Sequence, residues 1–312
     1  MKKLDKLLFT EPFIGNFNKS NFIYFKENSF TELYNSLICE TYNIFPVPKL
    51  LINDMLNFIL THDGLNKKTY NCKDILDKYI LDWKYYNEFK ENIKLMLEEN
   101  IDCSITVISF KNKDQLNQII NEFPNKEIED KIKNSSELPN RITYTYSDEF
   151  NVCIAINSSN LDKFYIYKTL QHELIHWMQR SLNSHTEKTF GVFPKLKIKL
   201  NSVQKHILYQ LGVNYEYILS EYEFEPWIAN TCEEFVLAKL TVDKYEKIIK
   251  NNELFMDAIS KCESQGMYEM FVFGKVCHIA STVEDDYFYY LIEALKKLIL
   301  KRNVFKVILI KE

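Results

Sequence analysis

Glycine and proline are scarce, at six and seven in 312 residues. That argues against a loop-rich all-β chain and for long helices. An excess of basic residues is also missing. Lys and Arg number 39 against 43 Asp and Glu, a net charge of −4, so nucleic-acid binding has no electrostatic support. No window comes near 18 uninterrupted apolar residues, and no transmembrane helix is expected. The opening MKKLDKLLFTEPF has its apolar run broken by Asp5 and Lys6. It lacks the continuous apolar stretch and cleavage site of a signal peptide, which makes a cytoplasmic protein the expectation. Seven cysteines are scattered singly, with no C-x-x-C pair. Free buried thiols in a reducing compartment are therefore expected, and a cysteine-type zinc site is not.

What is present points to a globular chain. Apolar residues make up 46% and charged residues 26%, a soluble composition. The length suffices for one large domain or two modest ones with a real core. Twenty Tyr and 22 Phe are expected to fill that core.

Helical spacing dominates the first hundred residues. It appears in SFTELYNSLICETYNIF, in PKLLINDMLNFILTHDG, which stops at Gly64, and in the long CKDILDKYILDWKYYNEFKENIKLMLEEN. The pattern then changes. SITVISF (104–110) is short and β-branched, KDQLNQIINEF reads as a helix, and RITYTYS (141–147) and FNVCIAIN (150–157) read as an antiparallel hairpin. Helices follow to near the end, where NVFKVILI reads as a closing strand. The expected class is α+β, helix-rich with a small, mostly antiparallel sheet. A helical region over 1–100 and a second domain over 101–312 are expected, or one continuous domain.

The stretch that carries chemistry is QHELIHWMQR, residues 171–180. At about 100° per residue, Tyr167, Leu170, Leu174, Trp177 and Met178 fall on one side of a helix. His172 and His176 fall on the other, within about 40° of each other, on a face turned away from the apolar stripe. Two imidazoles at i and i+4 reach one metal ion, and Glu173 projects to the flank where it can touch a water. The plain alternative is an exposed helix face with two solvated histidines. A helix of the right periodicity, a hairpin before it and a carboxylate-rich helix start after it favour the metal.

With these residues the chain resembles the zincin metallopeptidases. The metzincin branch would need Gly and a third His where Gln179 and Leu182 stand, so it is excluded. The gluzincin branch takes its third ligand from a glutamate on a later helix, and EFEPW (223–227) resembles that setting with Glu223 at the ligand position. Pro226 stands where a small residue is usual, and Trp227 where an acidic or amide partner is often found. Glu225 remains the alternative ligand, and Glu221 is less favoured. Ser220 and Glu223 have capping-box spacing at this helix start. The resemblance covers roughly 15 residues around the first motif and little beyond 140–240.

It implies a zincin-like domain built on the HExxH helix. Zn²⁺ would sit on His172, His176 and Glu223, and Glu173 would serve as general base for a metal-activated water that hydrolyses a peptide bond. The implied partner is a peptide or protein substrate, without nucleic acid or membrane. Tyr215, Tyr217, Tyr222 and His206 are candidate donors to the tetrahedral intermediate by proximity alone. His62, His185 and His278 show no ligand spacing. The competing expectation is a non-catalytic structural or interaction protein of the same fold, such as a component of a viral particle. A different metal-assisted hydrolase would use the same motif.

Overall fold

The computed structural model describes residues 49–62, 64–80, 87–99, 101–119, 130, 133, 138–139, 141–145, 150–159, 163–183, 200–238, 240–262, 265–281 and 286–296. The fold is helix-rich α+β with a small mixed sheet. The helix expected near residues 29–45, the closing strand and His185 lie outside the described residues.

The chain divides into two compact units, one holding the described residues from 49 to 183 and the other those from 200 to 296. In the first, elements run α1 (Lys49–Thr61), β1 (Asn66–Asn71), α2 (Cys72–Ile75), a π turn (Leu76–Ile80) and α3 (Asn87–Glu98). They continue with β2 (Ser104–Phe110), α4 (Lys113–Ile119), β3 (Arg141–Thr145), β4 (Asn151–Asn157) and α5 (Lys163–Asn183). The strand order is β1-β2-β4-β3. β2 and β4 run parallel in the centre, and each pairs antiparallel with an edge strand. The expected hairpin is present as β3 and β4.

Residues on both sides of residue 100 share this sheet, so the compact units do not part there. β1 carries no sequence signal. NKKTYN is polar and only Tyr70 is buried, as suits an edge strand. β2 and β4 are buried on both faces and read as continuous apolar runs for that reason. One face packs Ile108, Phe110, Cys153, Ala155 and Ile142 against Leu116 and Ile119 of α4.

Two expectations are corrected here. The segment expected as one long α-helix from Cys72 is not uniformly α: α2 ends after one turn and passes into the π turn at Leu76–Ile80, and α3 covers Asn87–Glu98. The cysteines are not all free thiols. Cys72 and Cys103 form a disulfide, because the β1–β2 register sets their Cα atoms 5.5 Å apart. Cys153, Cys232, Cys262 and Cys277 are not disulfide-bonded.

The second unit is helical: α6 (Ser202–Gln210), α7 (Tyr215–Ile218), α8 (Phe224–Leu237), α9 (Val242–Lys250), α10 (Asn252–Ser260) and α11 (Gln265–Ala280), with residues 287–296 also helical. Asn201 and Gln204 form a capping box at the start of α6. Aromatic rings hold this unit together. Phe224 meets Phe273 and Tyr287, and Trp227 stacks on Phe273. Tyr245 lies between Phe235 and Phe271, and its hydroxyl donates to the Met270 carbonyl at 2.7 Å. Gly274 leaves room for that ring. Lys275 is buried with its ammonium donating to the Ile249 carbonyl and Asn252 Oδ1, both at 2.7 Å. Among the described residues no helix is long and apolar enough to cross a membrane.

Candidate metal centre

Helix α5 positions the first two ligands. It is not amphipathic in the expected sense: residues 168–179 are all buried, the histidine face included. A solvated pair of histidines is therefore overturned, and the histidine face is as covered as the apolar stripe. Burying Gln171, His172, Glu173, His176 and Gln179 in one helix is costly unless each polar group has a partner. Trp177 fixes the helix to the sheet unit by donating its indole N–H to the Phe150 carbonyl at 3.0 Å.

His172 and His176 face each other with Nε2 atoms 3.1 Å apart and rings at 76°. Two nitrogens bound to one ion at about 2.0–2.1 Å each would stand at a similar separation. Nδ1 of His176 lies 3.0 Å from Gln179 Oε1. An amide oxygen only accepts, so this contact places the ring proton on Nδ1 and leaves Nε2 as the lone-pair donor. Gln179 was informative in the sequence only as a departure from the metzincin pattern. Its i+3 spacing from His176 is the signal that marks it as a neighbour on the helix surface.

Glu223 is buried just ahead of α8, and its carbonyl accepts from the Trp227 N–H. The helix begins at Phe224, with the Phe224 N–H bonded to the Ser220 carbonyl. Residues 221–223 form a turn immediately ahead of it. Pro226 sits in the first helical turn, where its missing N–H leaves nothing unsatisfied. His172, His176 and Glu223 form a buried group whose ligand atoms all lie within 4.8 Å of one another, and it can hold a metal ion.

Glu225, the alternative ligand, is not in that group. Glu225 is fully buried, and both its carboxylate oxygens lack a hydrogen-bond partner among the described residues. Burial pushes its carboxyl well above the usual carboxylate range. Glu221 is half-buried and outside the group.

The chain matches no family model, no curated protein and no solved structure. The site is accordingly read from its own chemistry. Glu173 is buried one residue beyond His172, and Arg141 Nη1 stands 3.6 Å from its Oε1. Arg141 was not legible in the sequence, because only strand register brings it to this helix.

The expected oxyanion donors divide as follows. Tyr215 donates to Glu216 Oε1 at 3.1 Å, Tyr217 and Tyr222 are exposed, and so is His206. His206, Tyr209 and Tyr215 line a surface cavity of about 640 Å³ with Ser202, Lys205, Val213, Asn214 and Glu216. His62 Nδ1 lies 2.9 Å from the Phe58 carbonyl, and His278 is half-buried against Phe288. Neither enters the metal group.

Proposed function

We propose that this protein is a zinc-dependent peptidase of the gluzincin type, with His172, His176 and Glu223 as ligands and Glu173 as general base. The observation that carries the reading is the buried His172–His176–Glu223 group with Glu173 adjacent to it in the buried stretch 168–179 of α5. Two imidazoles and one carboxylate are the donor set of a catalytic zinc that keeps a position open. When bound, the ion would acidify a water and polarise the scissile carbonyl. The chain's own residues then do the rest. Gln179 holds the His176 tautomer. Glu173 takes the proton from the attacking water and passes it to the leaving amine. Burial of the surrounding helix face keeps bulk water from screening these charges.

Elemental analysis of the purified full chain tests the ligand set. The expected result is near one zinc per chain, lost in His176→Ala and in Glu223→Ala. Glu173→Gln should keep the zinc and lose cleavage of a mixed peptide library. Absence of zinc from the wild type after reconstitution, or full cleavage by Glu173→Gln, would overturn the reading.

A further inference from the structure

Arg141 has no part in the hydrolytic reading, yet it stands at its centre. It opens the edge strand β3 and pairs in register with Ile156 of β4. Directly opposed residues on antiparallel strands project to the same face, so Arg141 shares the face of Ile156. There its guanidinium meets the base on α5, with Nη1 3.6 Å from Glu173 Oε1. Among the described residues no other cation stands within ion-pair distance of Glu173.

Two features distinguish this pair from a structural salt bridge. The separation exceeds the hydrogen-bonding range of about 2.7–3.2 Å, so Glu173 does not engage the planar guanidinium fork in bidentate fashion. Exposure is also unequal. The Arg141 side chain is 40% exposed and that of Glu173 is 10% exposed. A solute arriving from water therefore reaches the guanidinium while the base stays covered.

We propose that Arg141 is a specificity residue that binds a carboxylate carried by the peptide beside the bond being cut. The inference rests on the peptidase reading above. Reach sets the position of that carboxylate. The base must lie within about 2.6–3.2 Å of the proton it takes, and one extended residue spans about 3.3–3.6 Å. A carboxylate held by a guanidinium next to the base thus belongs to a residue flanking the scissile bond. Two sources share this chemistry. One is the terminal α-carboxylate, which makes the enzyme remove a last residue. The other is an Asp or Glu side chain inside a longer peptide. The reaction itself is ordinary hydrolysis: the oxygen of one water joins the carbonyl carbon, the C–N bond breaks, and the amine leaves with a proton. Arg141 stays protonated throughout.

The test uses the zinc-loaded full chain and matched peptides built around the bond that the wild type cuts in a mixed library. Each peptide is made with a terminal acid or amide, and with Glu or Gln beside the bond. The wild type is expected to show a KM at least about tenfold lower for a carboxylate form, with kcat little changed. Acid over amide identifies the terminal source, and Glu over Gln the side-chain source. Arg141→Ala should abolish the difference between forms, and Arg141→Lys should keep part of it. Dissociation constants of the same peptides on the metal-free full chain, measured by calorimetry, should rank identically without any turnover. Equal KM for all forms in the wild type, or a preference that survives Arg141→Ala, overturns the proposal and leaves the peptidase reading intact. Failure to cut any library peptide overturns the peptidase reading and this proposal with it.

Discussion

Replacing Gln179 by leucine isolates what the amide does for the metal centre. In the wild type the buried His176 Nδ1 and Gln179 Oε1 are 3.0 Å apart. Leucine fills a similar volume and removes that acceptor. The buried ring N–H then loses this hydrogen bond, at a cost to folding of about 1–3 kcal/mol. The larger consequence is for the ligand. Without the acceptor the ring is free to carry its proton on Nε2, the atom that faces His172. Loss of such a partner weakens metal binding by about 10–100-fold, or about 1.4–2.7 kcal/mol. Zinc affinity is measured by competition with a chromophoric chelator, and urea unfolding is followed with and without zinc to separate the two costs. Gln179→Glu keeps an acceptor at the same place and should bind zinc at least as tightly as the wild type. Wild-type zinc affinity in Gln179→Leu, alongside loss of zinc in His176→Ala, would refute the assignment of Gln179 as the group that sets the tautomer.

Three further outcomes are expected. Gly274→Ala should destabilise the protein by roughly 2–4 kcal/mol, because the new Cβ would collide with the Tyr245 hydroxyl and lie 2.9 Å from its Cζ. Denaturant unfolding checks this, and Tyr245→Phe in the same chain should recover part of the loss. His278 has its pKa lowered by burial and by the charges of Lys275 and Lys250, so the unfolded chain binds its proton more readily than the folded one. That part of the stability is present above the ordinary histidine value of 6.5 and is lost as pH falls below it towards the folded value. His278→Gln should flatten the fall of the urea midpoint in that window, and an unchanged pH profile would show the effect to be absent. Non-reducing peptide mapping should recover Cys72 linked to Cys103, and removing this link across 31 residues should cost about 3–4 kcal/mol. Only free thiols at both positions would contradict the β1–β2 register at that end.

The strands and helices that could be read from sequence are those whose pattern is local and complete. SITVISF and the 150–157 segment declare themselves because central strands buried on both faces are apolar throughout. NKKTYN does not, because an edge strand needs only one buried side chain and is otherwise polar. The π turn at Leu76–Ile80 was hidden for the opposite reason: helical periodicity continues across it, and the sequence there has no glycine or proline to mark it. Cys72 and Cys103 look like two of seven scattered cysteines until strand pairing places them side by side.

The same division runs through the site. The shared face of His172 and His176 was legible in the sequence alone, since residues four apart share a helix face wherever that helix lies. Gln179 belongs to the same local geometry. Burial of that face was a tertiary outcome, as was the choice of Glu223 over Glu225 for the metal group. So was the approach of Arg141 to Glu173, which depends on the pairing of Arg141 with Ile156. Helical periodicity costs nothing to read because its contacts lie within one turn. Contacts between distant segments are set by which apolar faces the whole chain buries together, and no local spacing records that choice.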